Sequence, residues 1–456
     1  VYRHGAPVTT TISPARAMLR RRPGLSRQGP AAAAPQPDRL CASVAGETGL
    51  VLGSRLRGEL ALPCAGRDVI LSPERLARHV LLVGATGSGK TETAMRIAWT
   101  LAKTSDAPVF FIDGKGDRQA AERFTALMAD AGRRTRVFPN EPFDGWRGSP
   151  GEVMGRLIEV VDYASEGPAA WYRDIAKAVL ALACEHPDGT PRSSSQLLER
   201  LDLDSLQAAH HGNPSLGSLN RQLVSQVRLR YQAFFAQTRG TLDGSWAWED
   251  ANAAYLLLDS LSLREETAGL ARFLFEDFAG FFSRRKPREQ FCVLIVDEFS
   301  ALAERSGMAG RIEQARAFNT ALVLAPQVAA GMGDETETAR ILGNVETVIC
   351  HRVNTPEEIV ALAGTTMRLD YSAQFEAQGA TGAGSARLQH HYKIDPNDVR
   401  SLPVGEAFVI ARGKAMRIRV QRAPNMRVAL PEHPGEQAVT PATPSPAPET
   451  VRELGY

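Results

Sequence analysis

Four apolar residues, Val80-Leu81-Leu82-Val83, run directly into Gly84-Ala85-Thr86-Gly87-Ser88-Gly89-Lys90-Thr91, and a helical pattern begins at once behind them. A short, continuous apolar run is what a parallel strand buried on both faces requires. The next eight residues match GxxxxGK[ST], with glycines where backbone N–H groups must turn inward around phosphate oxygens. Thr93, Ala94, Ile97, Ala98 and Leu101 then recur at helical spacing, so a helix N-terminus with its partial positive charge faces the same point. Gly84, Ala85, Thr86, Gly87, Ser88, Gly89, Lys90 and Thr91 are therefore the candidate nucleotide site, with ATP the expected ligand. Lys90 is expected on the β and γ phosphates, and the Thr91 hydroxyl on Mg²⁺.

The same alternation continues along the chain. Val109-Phe110-Phe111-Ile112 is a second apolar run, ending at Asp113, and a helix is expected over about 117–131. Further strands are expected at 136–138, 254–259, 292–297, 321–325 and 346–351, each next to a helical pattern. Alternating strands and helices predict an α/β fold with a mostly parallel central sheet covered on both faces. One stretch breaks the rhythm. Over 143–250 the strand signal fades, and helices are expected at 153–161, 175–183, 195–203 and 219–235, which predicts an all-α insertion domain. A hairpin is expected from 406–412 and 416–421 around Gly413-Lys414. The nucleotide-binding domain is thus expected in two parts, 43–142 and 251–425. Residues 1–42 read as a disordered basic arm, with Arg3, Arg16, Arg20, Arg21, Arg22, Arg27 and Arg39 against Asp38 alone. Residues 426–456 read as a disordered Pro-rich tail.

An ATPase needs more than a phosphate loop. Val293-Leu294-Ile295-Val296-Asp297-Glu298 supplies an acidic pair at the end of an apolar strand. Asp297 is the candidate Mg²⁺ ligand beside Thr91. Glu298 is the candidate base that polarises the attacking water. Val323-Leu324-Ala325-Pro326-Gln327 is another strand ending in a polar group, and Gln327 is a candidate for positioning the water or the γ-phosphate. Hydrolysis is expected rather than binding alone. The formal net charge of +2 gives no global cationic field, so any nucleic-acid contact must come from local patches. Arg192, Arg200, Arg221, Arg228, Arg230 and Arg239 concentrate positive charge in the insertion, while Tyr231, Phe234 and Phe235 read as its core. The five scattered cysteines form no CxxC pair, which points away from zinc and from a disulfide framework, and Cys292 and Cys350 read as buried thiols.

In this order the motifs resemble the FtsK/HerA superfamily of DNA translocases. Within it the chain is similar to the conjugative coupling proteins of type IV secretion systems. Arg78-His79-Val80-Leu81-Leu82-Val83-Gly84 resembles their entry into the loop, and Phe111-Ile112-Asp113-Gly114-Lys115-Gly116-Asp117 their D-P-K-G-[DE] motif. Ala315-Arg316-Ala317-Phe318 resembles their A-R-x-x-G segment. Ile349-Cys350-His351-Arg352-Val353-Asn354-Thr355-Pro356 resembles their F-R-V-N-D-P strand, and Leu402-Pro403-Val404-Gly405-Glu406-Ala407 also fits. Gly114 stands where the motif has Pro and Thr355 where it has Asp, and neither supplies essential chemistry. The resemblance covers about 44–422. It implies a RecA-like P-loop NTPase fold, a homo-hexamer with ATP at subunit interfaces, and DNA as the partner. A relaxase and channel components are implied as further partners. It also implies an arginine reaching the neighbour's γ-phosphate, with Arg316 the first candidate and Arg352 the second. Lys115 reads equally as an interface residue and as a loop charge.

Coupling proteins usually begin with two membrane-spanning helices, whereas this sequence has no stretch of 18 apolar residues. The expected location is cytoplasmic, and two alternatives stay open: a motor docked on a separate membrane partner at the inner face of the bacterial plasma membrane, or a soluble relative. A HerA- or FtsK-like duplex translocase in repair or segregation, and a nucleotide-gated adapter that recruits secretion substrates, are the alternatives.

Overall fold

The structure, a computed structural model, describes residues 40–431 apart from 45–46, 58–61, 165, 168, 260–263, 286–290, 304–306 and 377–378. The strands are β1 (Cys41–Val44), β2 (Glu47–Arg57), β3 (Leu62–Leu71), β4 (Val80–Val83), β5 (Val109–Asp113), β6 (Thr135–Phe138) and β7 (Ala253–Leu257). They continue as β8 (Cys292–Asp297), β9 (Thr320–Ala325), β10 (Thr347–Cys350), β11 (Thr365–Glu376), β12 (Gly379–Tyr392), β13 (Glu406–Ala411) and β14 (Lys414–Val420).

Twelve of these form one sheet in the order β1-β2-β14-β13-β10-β4-β9-β8-β5-β7-β6, with β3 also paired to β2. From β10 to β6 every neighbouring pair is parallel. At β13 the direction reverses and an antiparallel wing begins. The parallel strands are apolar throughout because both faces are covered. Val80, Leu82, Val109, Phe111, Val293 and Ile295 pack on one face with the helix Lys90–Thr104 and the helix Arg118–Asp130. Leu81, Val83, Phe110, Ile112, Leu294 and Val296 pack on the other with the helix Arg264–Arg284 and the insertion.

The insertion leaves the sheet after β6 and returns at β7, two strands that neighbour each other. Its helices are Pro150–Val160, Ala170–Cys184, Ser194–Arg200, Leu203–Ala209 and Arg221–Thr238. At its base the chain pairs with itself, Phe143 with Trp246 and Asp144 with Asp243. A capping box at Ser149 and Glu152 starts the helix Pro150–Val160. The buried Arg272 of the helix Arg264–Arg284 closes its other end by donating to the Glu159 and Val160 carbonyls at 2.7 and 3.2 Å. A fully buried Arg156–Asp277 ion pair joins the same two helices. Tyr231, Phe234 and Phe235 are buried, as expected.

Several expectations are corrected. Residues 41 and 42, expected in the arm, open strand β1, and the Leu40 carbonyl accepts from Val51 N at 2.9 Å. The rest of that arm lies outside the described residues. Residues 426–431, expected in the tail, run along the helix Arg118–Asp130, where Arg118 donates to the Leu430 and Pro431 carbonyls at 2.9 and 3.1 Å. Met426 and Leu430 pack against the core there, so two apolar side chains outweigh the local proline content. Strands β1 to β3 and the separate hairpin β11–β12 were not expected. Cys184, Cys292 and Cys350 are buried thiols, and Cys41 is exposed.

Candidate nucleotide-hydrolysis site

The site is assembled at the carboxyl ends of β4, β8 and β5, with loops that the strands deliver side by side. Strand β4 ends at Val83, and the loop turns through Gly87 and Gly89 at φ +73° and +110°, values that side-chain-bearing residues rarely adopt. Gly84 is needed for a different reason: a Cβ there would lie 2.5 Å from Ser88 Oγ and 2.7 Å from His351 Cβ. The helix then begins at Lys90, whose Nζ donates to the Gly84 carbonyl at 2.6 Å. Burial lowers the Lys90 pKa, and the Glu298 and Asp297 charges oppose that shift.

Asp297, the last residue of β8, is 4% exposed and accepts the Thr91 hydroxyl at 2.6 Å. Burial raises its carboxyl to about 6, against the bonds from the Thr91 hydroxyl and the Glu298 N–H, which favour the charge. Thr91 and Asp297 together present the hard oxygens that Mg²⁺ prefers. Among the described residues no group of three or more His, Cys, Asp or Glu side chains is gathered as a metal site. Such a sparse pair fits an ion that keeps waters and phosphate oxygens as its other ligands.

Glu298 stands in the left-handed region at φ +51°, a conformation costing roughly 1–3 kcal/mol in a non-glycine residue. Gln327 Nε2 donates to Glu298 Oε2 at 2.9 Å, and Ser300 Oγ accepts the Gln327 N–H at 3.2 Å. Two strand ends thereby fix one carboxylate. In a third position Asp113, at the end of β5 and in register with Asp297, accepts from Lys115 N, Asp117 N and Tyr255 OH at 2.8, 2.8 and 3.0 Å. Burial raises its pKa first, and these bonds offset it. Asp113, Lys115, Asp117 and Val404 line the cleft with the glycine loop. Asp113 carries the same signal as Asp297, an acid closing a buried strand, but from sequence it is expected only as a strand end and a motif position, with no role in the site.

The arginines divide. Arg352 follows β10, and its carbonyl accepts Ala85 N at 2.8 Å, so its backbone belongs to the loop's rear wall. Arg316 is exposed and precedes β9, whereas Gln327 follows it; a six-residue strand separates them by roughly 20 Å. One chain therefore does not bring Arg316 to its own cleft. Within the insertion, Arg200 is buried and donates to the Ala183 and Gly189 carbonyls, Arg221 pairs with Asp204 at 2.7 Å, and Arg230 covers the Tyr163 ring. Only Arg200 is withdrawn from the surface; Arg192, Arg221, Arg230 and Arg239 stay exposed.

Comparison with known proteins now bears on this geometry. Residues 58–169 match the family described as Helicase HerA, central domain. A 124-residue stretch is 23% identical to the type 4 coupling protein DotL of Legionella pneumophila, covering 27% of this chain and 16% of that relative's length. The bacterial conjugative coupling protein TrwBdeltaN70, in its unbound form, superposes with a TM-score of 0.58 at 14% identity over 83% of this chain and 96% of its own. This chain has the coupling-protein fold. It resembles the FtsK/HerA superfamily in the motifs and the coupling proteins in architecture, with a RecA-like sheet and an α-helical insertion. The plasmid coupling protein TrwB in complex with ADP and Mg²⁺ matches with a TM-score of 0.57, at 15% identity over 82% of this chain and 94% of its own. VirB4 of Thermoanaerobacter pseudethanolicus matches with 0.55, at 14% identity over 84% and 99%. Among the described residues no helix is long and apolar enough to cross a membrane.

Proposed function

We propose that this chain is an ATP-hydrolysing motor that moves DNA or nucleoprotein toward a type IV secretion channel. The observation that carries this reading is the convergence of three strand ends on one cleft: Lys90 and Thr91 after β4, Asp297 and Glu298 after β8, and Gln327 after β9. A nucleotide store would need the first group only. A carboxylate held by a glutamine, outside the metal pair, is what activating a water requires.

In this mechanism the loop N–H groups and Lys90 hold the β and γ phosphates, and Thr91 and Asp297 hold the cation. Bound Mg²⁺ supplies charge neutralisation on the phosphate oxygens. Glu298 takes a proton from the water as its oxygen bonds to the γ-phosphorus. The bond from that phosphorus to the β–γ bridging oxygen breaks, leaving ADP and phosphate. Gln327 keeps the Glu298 carboxylate aimed. Arg316, at the opposite end of the central strand β9 from the cleft, acts on the cleft of a neighbouring subunit in a homo-hexamer. Membrane association is peripheral, through a partner.

DNA-stimulated ATPase measured against protein concentration tests the reading. Hydrolysis should rise with both; equal hydrolysis with and without DNA would overturn the motor. The match of 58–169 to the HerA central domain supports a second reading, a duplex translocase acting in repair or segregation. Displacement of a triplex strand from duplex DNA would favour it over the nucleotide-gated adapter, which binds a protein partner and moves nothing.

A further inference from the structure

The rear wall of the glycine loop holds a side chain that the hydrolysis mechanism does not use. His351 follows β10 and is fully buried. Its Nδ1 lies 3.1 Å from the Glu406 carbonyl and its Nε2 lies 2.9 Å from Thr93 Oγ1. A carbonyl only accepts, so Nδ1 carries the hydrogen and Nε2 accepts from the threonine. Thr93 sits in the first turn of the helix that the glycine loop opens, and its hydroxyl also lies 3.2 Å from the Gly89 carbonyl. The backbone repeats the connection: His351 N donates to Val83 O, and Ala85 N donates to Arg352 O, both at 2.8 Å.

We infer that His351 is a positioning residue for nucleotide binding: its two ring nitrogens tie the first turn of the phosphate-loop helix, through Thr93, to the main chain of Glu406. The inference rests on the ATP-site reading and adds to it what keeps the loop in shape. Glu406 is a firm anchor. The residue is 3% exposed, and its carboxylate takes Arg417 Nε at 2.9 Å and Arg419 Nη2 at 3.0 Å, both from β14. The same segment contributes Val404 to the cleft. The tie therefore joins the loop to the antiparallel wing, which sequence neighbourhood alone does not connect.

Space-filling does not account for this arrangement. Any buried imidazole needs partners for its nitrogens, but these two partners belong to the phosphate-loop helix and to β13, so the ring joins them. A phenyl ring at this position would fill the volume while making neither bond. Burial lowers the imidazole pKa to about 4, the Glu406 carbonyl opposes that, and the Lys90 charge adds to it, so the ring works uncharged. The Glu406 carboxylate does not face it, being turned to the two arginines.

The test is ADP affinity of the full chain, with steady-state ATPase beside it. His351→Phe should weaken ADP about tenfold and raise KM while leaving kcat within about twofold, because a hydrogen-bonded tie of this size orders the loop before chemistry. His351→Gln, which restores a donor and an acceptor, should recover most of the loss. Thr93→Val keeps the volume and should reproduce the His351→Phe effect, and the double variant should bind no more weakly than either single one. In ¹⁵N-labelled protein at pH 7, His351 should show the Nδ1–H tautomer. A folded His351→Phe chain that binds ADP as tightly as wild type would overturn the inference, as would additive Thr93 and His351 losses. If His351→Phe does not fold, Thr93→Val against Thr93→Ser decides alone: equal affinities overturn it. A wild-type chain that binds no ADP sinks the ATP site itself, a result visible before any variant is made.

Discussion

At the scale of single residues the cleft separates binding from chemistry, and two substitutions should show it. Lys90→Ala removes the ammonium aimed at the phosphates and should weaken ATP on the order of 100-fold in a fluorescent-nucleotide titration. Glu298→Gln keeps shape and hydrogen-bond reach, so affinity should hold while turnover falls by about 10²- to 10⁴-fold. Asp297 carries a different signature. Its carboxyl is raised from 3.8 to about 6 by burial, so the folded chain prefers it protonated. That stability is present below about pH 4 and is lost as pH rises through 6, amounting to about 3 kcal/mol. Asp297→Asn should therefore raise the thermal midpoint at pH 8 and leave it unchanged at pH 4, while Mg²⁺-dependent hydrolysis disappears. Destabilisation kept in place at neutral pH is the mark of a group retained for function. Asp297 and Glu298 were legible because they close an apolar strand, where burial and a polar tip conflict, and Lys90 because its glycine loop has a fixed spacing. His351 was not legible as a tie, because its partners, Thr93 and Glu406, are 258 and 55 positions away.

At the scale of elements, the sheet's parallel half could be read from runs such as Val80–Val83 and Cys292–Asp297, apolar at every position because helices cover both faces. Of the antiparallel wing the hairpin β13–β14 was legible, and strands β1 to β3 were not. Strands β2 and β3 mix glycine, arginine and proline with their apolar residues, and β2 is held by pairing with β14, more than 350 residues later. The hairpin β11–β12 was missed because Met367 and Leu369, which alternate with Arg368 and Asp370, lead into a stretch rich in glycine and alanine that reads as loop. Between elements, the Arg156–Asp277 pair is the contact to test. Removing one partner leaves a buried charge alone, so Arg156→Ala should cost about 3–5 kcal/mol in a denaturant titration. Replacing both partners by apolar residues of similar volume should recover most of that loss.

At the scale of the whole molecule, the position of Arg316 makes the proposed catalysis a property of an assembly. It stands at the opposite end of β9 from Gln327. A chain carrying Arg316→Ala and a chain carrying Glu298→Gln should each be inactive, the first by about 10³-fold or more. Mixed, they should regain measurable ATPase, since some interfaces then join an intact cleft to an intact arginine. No recovery in mixed samples that do form rings would place the arginine elsewhere, with Arg352 the next to test. Arg316 was singled out by motif resemblance alone. Its place before an apolar strand says nothing of which copy it serves.

The paired neck beneath the insertion, Phe143 with Trp246 and Asp144 with Asp243, has an evolutionary reading. Chain entry and exit meet at one point beside two adjacent strands, so lineages could trade the helical cassette without disturbing the engine beneath it. The trade has one condition. Any replacement must bring its own counterpart of the helix Pro150–Val160, because Asp277 and Arg272 stay behind in the engine and need something to hold. Homologous modules should therefore vary freely beyond that first helix and keep a cation facing the helix Arg264–Arg284.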